Sequence, residues 1–350
     1  MTTVTINTAR PYKVKIGSGL LASAPEELRA VTQGETLCIV SDHTVWALYG
    51  DDLKDSLADA GFRCVGFTFP AGEQSKNAAT YLALLEFLAE NHVTRRDCII
   101  ALGGGVVGDL AGFAAATYLR GIDYVQIPTT VLAAVDSSVG GKTAIDLDAG
   151  KNLAGAFWQP RLVLCDTATL DTLPPEIFRD GCAEIIKYGV LFDRGLLTLL
   201  AETGLSFPRE QVIARCIELK RDTVALDEFD RGQRQLLNLG HTIGHAIEAH
   251  SNYTVSHGKA VSIGMAMITR ASAAMGVCSQ EDSATLLDLL QKFCLPTQTG
   301  ISPKILCEHA LSDKKRSGDT LNLIVPETLG RCRIQAIPLQ ELERILEAGM

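Results

Sequence analysis

Three histidines fall within 17 residues: His241 and His245 in Asn238-Leu-Gly-His-Thr-Ile-Gly-His-Ala-Ile-Glu248, and then His257. Positions four apart share one face of a helix, so the first two imidazoles point the same way. Thr242 stands where an HExxH metallopeptidase carries its glutamate, so zinc-hydroxide peptide hydrolysis is disfavoured. His257 opens the next helical stretch, and antiparallel packing returns it to the side of His241 or His245. Glu184 lies in the apolar run Cys182–Val190, three residues before Lys187 and on the same face. A charge on a buried face needs a partner. Two histidines and one carboxylate with a position left open form a catalytic zinc-type ligand set. His250 reads as an ordinary solvated or core histidine.

A second chemistry is written in Cys98-Ile-Ile-Ala-Leu-Gly-Gly-Gly-Val-Val-Gly-Asp109, a strand, a glycine turn and an apolar helix. Gly103, Gly105 and Gly108 satisfy GxGxxG, in which bare backbone amides approach a pyrophosphate at a helix N-terminus. Asp42 ends an earlier strand, where a carboxylate takes ribose hydroxyls. Asp123 competes by spacing but precedes its strand, so Asp42 is preferred. Basic residues recur beside glycine turns and apolar helices: Lys142, Lys151 with Asn152, Lys187, Lys220, Arg234 and Lys314. A cationic pocket in an acidic chain suits a phosphorylated or carboxylated small molecule. The residues together describe an NAD-type, metal-assisted enzyme acting on an anionic polyol.

The elements that must hold these groups change character halfway along the 350 residues. Strands are expected at Tyr12–Ile16, Leu37–Val40, Arg63–Phe69, Cys98–Leu102, Tyr124–Ile127 and Leu162–Cys165, several of them apolar throughout, as in strands covered on both faces. Helices alternate with them. Ser23 caps one near Pro25, Gly61 closes one containing Leu53 and Leu57, and Ser75 starts one with a Tyr81, Leu84, Leu85 and Leu88 stripe. After Pro174–Pro175 the pattern is helical: Glu176–Leu191, Arg209–Leu226, Leu236–Ala249, Gly258–Met275 and Glu281–Phe293, with a late hairpin of Leu321–Val325 and Cys332–Ile334. The expectation is an α/β nucleotide-binding domain with a mostly parallel sheet at 1–173, then a mainly α-helical metal- and substrate-binding domain at 174–350. A cleft between them is the default small-molecule site.

Composition excludes other classes. With 32 basic against 41 acidic side chains the net charge is −9, which argues against a nucleic-acid binder. No uncharged apolar run reaches the roughly 18–20 residues that span a bilayer. The polar start, Met1 to Arg10, has no apolar signal core, so a cytoplasmic location is expected. Ten scattered cysteines without a CxxC pair read as reduced thiols.

In order along almost the whole chain stand Pro-Ala-Gly-Glu73-Gln-Ser-Lys76, Gly103-Gly-Gly-Val-Val-Gly-Asp109, Ile-Pro-Thr129-Thr130, Asp136-Ser-Ser-Val-Gly-Gly-Lys142, Gly-Lys151-Asn152, Gly-Cys-Ala-Glu184-Ile-Ile-Lys187, the His241/His245 block and Asp313-Lys314-Lys315. This set resembles the 3-dehydroquinate synthase family. The resemblance implies a homodimer using NAD and a zinc or cobalt ion. It implies conversion of 3-deoxy-D-arabino-heptulosonate 7-phosphate (DAHP) to 3-dehydroquinate and phosphate: transient oxidation by NAD, phosphate elimination, re-reduction and intramolecular aldol closure. Matched by position, Glu184, His241 and His257 would be the metal ligands and His245 a proton-transfer or hydrogen-bonding group beside them. NAD would rest on Asp42, on Ala71, Gly72, Glu73, Gln74, Ser75 and Lys76, on Gly105, Val106, Val107, Gly108 and Asp109, and on Thr129 and Thr130. It would also meet Thr169, Leu170, Asp171 and Thr172, with Lys142 and Lys151 nearby. Substrate would meet Lys151, Asn152, Lys187, Lys220, Arg234, Asn238 and Lys314, and Arg120 would reach the phosphate in the neighbouring subunit. Lys259 departs from the pattern, which has glutamate there. A related sugar phosphate cyclase or a metal-dependent polyol dehydrogenase is the alternative.

Overall fold

Strands that are apolar on both faces need helices on both sides, and the first part of the chain supplies them. The computed structural model describes residues 1–312, 316–317 and 319–350. It divides into two compact units, Met1–Leu173 with Arg209–Phe229, and Pro174–Pro208 with Asp230–Met350. The expected ranges 1–173 and 174–350 differ from this in one segment, Arg209–Phe229, which returns to the first unit.

The first unit runs β1 (Thr2–Ile6), β2 (Tyr12–Gly17), α1 (Ala24–Val31), β3 (Thr36–Asp42), the single turn α2 (His43–Val45), α3 (Asp51–Asp59), β4 (Arg63–Phe69), α4 (Ala78–Glu90), β5 (Cys98–Gly103), α5 (Gly105–Thr117), β6 (Asp123–Pro128), β7 (Lys142–Leu147), β8 (Gly150–Phe157) and β9 (Leu162–Asp166). Seven strands form a sheet in the order β1-β2-β9-β6-β5-β3-β4. All its pairings are parallel except β1 with β2. Successive residues of β3 serve opposite faces. Cys38 and Val40 pack with Leu84, Leu88, Val107 and Leu110, whereas Leu37 and Ile39 pack with Leu28, Leu53 and Leu57. Each such side chain, fully buried, stabilises the fold by about 1.5–3 kcal/mol.

Two caps differ from expectation. Ser23 holds the N-cap position of α1, but its hydroxyl donates back to the Leu20 carbonyl. Ser75 lies in a tight turn, and Asn77 caps α4 by accepting from the Thr80 amide at 3.0 Å. β1 and the antiparallel β7–β8 hairpin were not anticipated. The hairpin's sequence, rich in Gly, Asp and Ala, carries little strand propensity.

The second unit is formed by α6 (Pro175–Phe192), α7 (Arg194–Thr203), α9 (His241–His250), α10 (His257–Ala274), α11 (Gln280–Lys292), α12 (Pro303–Ser312), β10 (Arg316–Ser317), β11 (Thr320–Thr328), β12 (Arg331–Pro338) and α13 (Leu342–Gly349); α8 (Arg209–Leu226) lies in the first unit. α10 packs against α6, α9, α11 and α13. That explains why its small and apolar residues run all round the helix. The expected helix Leu236–Ala249 is instead two pieces, a tight turn over Gln233–Asn238 and then α9, because Gly240 adopts φ 77 between them. The late hairpin is present and longer than expected, with Leu321 opposite Ile337 and Ile324 opposite Ile334.

Candidate active site

Three helices of the second unit converge on one point. Glu184 from α6, His241 from the first turn of α9 and His257 from the first turn of α10 each offer a ligand atom, all within 4.8 Å of one another. Nε2 of His241 lies 3.5 Å and Nε2 of His257 3.3 Å from Glu184 Oε1. Glu184 is only 1 % exposed and forms an ion pair with Lys187, one turn on and equally buried. The charge on the buried face thus has the partner it required. His245 sits edge-on to His241, ring centroids 5.5 Å apart. Among the described residues, the trio that satisfies metal-ligand spacing contains His257 rather than His245. Burial disfavours the charged form of His257, but Glu184 and Glu248 together outweigh that and lift its pKa to about 10. A donor set of two imidazoles and a carboxylate, with no fourth side chain in the group, fits a divalent ion of the zinc or cobalt type.

The placement of His257 has a cause that sequence reasoning missed. Asp180, one turn before Glu184 on α6, accepts from the Gly258 amide at 3.1 Å, the Lys259 amide at 3.0 Å and the Ser256 hydroxyl. A carboxylate from another helix therefore satisfies the open amides of α10 and complements its dipole. Gly258 permits the approach: an added Cβ would lie 1.9 Å from the Asp180 carbonyl oxygen. The available signal was the four-residue spacing from Asp180 to Glu184. Lys259, the departure from the family pattern, has its amide in this cap and its side chain exposed.

In the first unit the predicted cofactor residues, apart from Lys142 and Lys151 on the β7–β8 hairpin, gather at the carboxyl ends of the sheet strands. Asp42 ends β3, the Ala71–Lys76 segment follows β4, Gly105–Asp109 follows β5, Thr129–Thr130 follows β6 and Thr169–Thr172 follows β9. These are the carboxyl ends of five adjacent strands, and the chain order reverses between β3 and β5. Ligands of doubly wound sheets bind at such a switch point. Asp42 uses Oδ1 to cap α2, accepting from the Thr44 and Val45 amides at 2.9 Å each. The glycine turn opens α5, and a Cβ on Gly108 would meet Gln126 Oε1 at 2.6 Å, so that glycine serves close helix–strand packing. Thr172 bonds with the Tyr49 hydroxyl at 2.6 Å, and Asp171 forms an ion pair with Arg209.

Lys76 is buried, and its ammonium reaches Glu73 at 2.8 Å, Asp109 at 3.1 Å, Asp146 at 3.8 Å and the Asn152 amide oxygen at 2.9 Å. Burial opposes its charge, yet the carboxylates raise its pKa. The same burial raises the pKa of Asp109 and of Asp146, with Lys76 acting against it. Asn152, at φ 54, also donates its backbone amide to Asp146 at 2.8 Å. Lys151 lies 3.5 Å from Glu73. Lys142 is exposed at the start of β7. Lys220 on α8 forms an ion pair with Asp136 and donates to its carbonyl at 2.8 Å. Arg234 is 1 % exposed in the turn Gln233–Asn238, which packs on α6 and ends in Asn238. Arg120 precedes β6, at the amino ends of the strands and so at the opposite end from the glycine turn. Lys314 and Lys315 lie outside the described residues.

This architecture, a parallel sheet with a glycine turn plus a helical unit with a metal-type donor set, is that of the sugar phosphate cyclases. A 2-deoxy-scyllo-inosose synthase complexed with carbaglucose-6-phosphate, NAD+ and Co2+ is similar, with a TM-score of 0.90 and 25% identity over 100% of both chains. A 2-epi-5-epi-valiolone synthase from Streptomyces hygroscopicus with NAD+ and Zn2+ bound has a TM-score of 0.89 at 25% identity, covering 99% of this chain and 98% of its own. Sequence narrows the class. The 3-dehydroquinate synthase N-terminal model matches residues 66–180 and the 3-dehydroquinate synthase C-terminal model residues 181–316. A 3-dehydroquinate synthase of Clostridium kluyveri is 42% identical over 340 residues, 95% of this chain and 94% of that relative. The chain belongs to the 3-dehydroquinate synthase family.

Proposed function

We propose that the chain is a lyase converting DAHP to 3-dehydroquinate and inorganic phosphate, with no net redox change. The observation that carries this reading is the convergence of Glu184, His241 and His257 in a chain that belongs to this family. NAD supplies a temporary hydride acceptor, and a divalent ion supplies Lewis acidity at a substrate hydroxyl. Binding and orientation are the work of the chain's own side chains and backbone amides.

Glu184, His241 and His257 hold the ion, and Lys187 offsets the charge of Glu184 while offering an ammonium to the substrate. Asp42 receives ribose hydroxyls of the dinucleotide, and the amides of Gly105–Asp109 at the start of α5 receive its pyrophosphate. Ala71–Lys76, Thr129–Thr130 and Thr169–Thr172 complete that surface at the same strand ends. Lys151, Asn152, Lys220, Arg234, Asn238 and Lys314 bind the carboxylate, hydroxyls and phosphate of the substrate. His245, beside His241, holds or passes a proton. The substrate's own phosphate serves as the base for its elimination, and fixing both ends of the molecule supplies the proximity that ring closure needs. Arg120, at the amino ends of the strands and away from the glycine turn, reaches the phosphate bound by a second copy, so the working form is a homodimer. Scattered thiols, several of them deeply buried, support a reducing compartment such as the cytoplasm.

The test is a single incubation with DAHP, NAD and Co2+, following phosphate and NADH together. Phosphate release in step with 3-dehydroquinate formation, without accumulating NADH, is expected. Steady NADH production from a simple alcohol, with DAHP untouched, would identify a polyol dehydrogenase instead.

A further inference from the structure

His241, His245 and Glu248 follow one another on α9 at spacings of four and three, a single stripe of helix. The function proposed above uses the two histidines and leaves Glu248 without a role, although it is only 2 % exposed. A carboxylate buried to that degree requires a reason. Its Oε2 lies 3.5 Å from Nδ1 of His257, while Nε2 of the same ring lies 3.3 Å from Glu184 Oε1. The imidazole therefore stands between two carboxylates, one facing each nitrogen. Glu248 is on the far side of the ring from the donor group, which comprises Glu184, His241 and His257. That position is wrong for a fourth ligand and right for a partner of the ligand.

A neutral imidazole carries one N–H and one lone pair, and the hydrogen bond at one nitrogen decides which nitrogen is left to bind a cation. We propose that Glu248 is a positioning residue. It accepts the Nδ1–H of His257, fixes the tautomer whose lone pair is on Nε2, and holds the ring plane toward Glu184 and His241. His241 is oriented in the same sense by a different acceptor, since its Nδ1 lies 3.0 Å from the Leu239 carbonyl oxygen and its Nε2 faces Glu184. Both rings are thus held through Nδ1 and present Nε2. A carboxylate acceptor also raises the basicity of the ring it holds, so Glu248 contributes affinity as well as direction. Asp180 has a separate task, because its bonds go to the backbone and to Ser256 rather than to the imidazole.

This role rests on reading Glu184, His241 and His257 as a cation site, and the experiment separates the two. Full-length wild type, Glu248→Gln and Glu248→Ala, each stripped with a chelator, are titrated with Co2+ against a chromophoric competitor while the visible Co2+ bands and the thermal midpoint are recorded. The alanine variant is expected to bind Co2+ about 10–100-fold more weakly, with altered bands. The glutamine variant, whose amide oxygen still accepts from Nδ1, should lose less. If the alanine variant keeps wild-type affinity and bands and loses only thermal stability, Glu248 merely fills space and the proposal fails. If wild type takes up no Co2+, or His257→Ala takes it up unchanged, the cation site itself is wrong and the role of Glu248 falls with it.

Discussion

At the scale of single residues, the decisive group is Glu184, a carboxylate that would be too costly to bury without partners. Its cost is met by Lys187 on one side and by two imidazoles on the other. Removing one member of a buried ion pair leaves the other uncompensated. Lys187→Met should therefore lower stability by about 3–5 kcal/mol, read as a lower urea midpoint at unchanged m-value. A midpoint within error of wild type would show that the pair carries no such weight. His241→Ala should abolish stoichiometric Co2+ uptake together with turnover, and a variant that keeps both removes His241 from the ligand set. The charge of Glu184 on an apolar face was legible from sequence alone. Glu248 and Asp180 were not, because their meaning depends on a neighbouring helix that spacing along one helix does not reveal.

At the scale of elements, two junctions set where the functional groups sit. The first is the crossing of α6 and α10, where Asp180 caps the helix that begins with His257. Gly258→Ala would push a methyl into the Asp180 carbonyl. Overpacking of this kind costs about 1–3 kcal/mol and moves backbone. Here it should displace His257 and cut Co2+ affinity at least tenfold, while far-UV circular dichroism stays native. Unchanged affinity would show that the crossing relaxes without moving the ligand. The second junction is the β7–β8 hairpin, tied by Lys76 to Glu73, Asp109 and Asn152. Lys76→Met should release Asn152 and raise KM for DAHP about tenfold or more, with Lys76→Arg recovering part of the loss. Equal KM values in all three proteins would mean that the hairpin holds its place without the lysine. Sequence reading placed Lys151 and Asn152 beside a glycine turn but did not find this hairpin, since its pairing partner and its buried cation are both tertiary features.

At the scale of the whole molecule, burial acts on many thiols at once. It pushes Cys38, Cys165 and Cys182 up to about 12 from an ordinary value of 9.0. A group whose pKa is higher in the folded than in the unfolded chain contributes stability that is complete below the unfolded value and fades as pH rises toward the folded one. Stability should thus hold up to about pH 9 and then decline by about 1 kcal/mol per such thiol by pH 10. Urea unfolding at pH 8 and pH 10 measures this, and equal free energies at the two would contradict it. At pH 8 a thiol reagent should label exposed Cys294 well before the buried sites. Among the described residues no helix is long and apolar enough to cross a membrane, in keeping with the hydropathy of the sequence.

Most of the alternating strands and helices, the glycine turn, the histidine spacing and a glutamate on an apolar helix face were determined by local pattern, because periodicity, backbone freedom and the cost of an unpaired charge are properties of a few consecutive residues. Which histidines stand beside Glu184 was left open by spacing and given only by the family resemblance; that choice, the return of Arg209–Phe229 to the first unit and the carboxylates behind His257 are the work of tertiary packing. These outcomes turn on contacts between segments far apart in the chain, 73 positions in the case of His257 and Glu184. Close packing between helices selects one such arrangement, and no run of neighbouring residues contains that information.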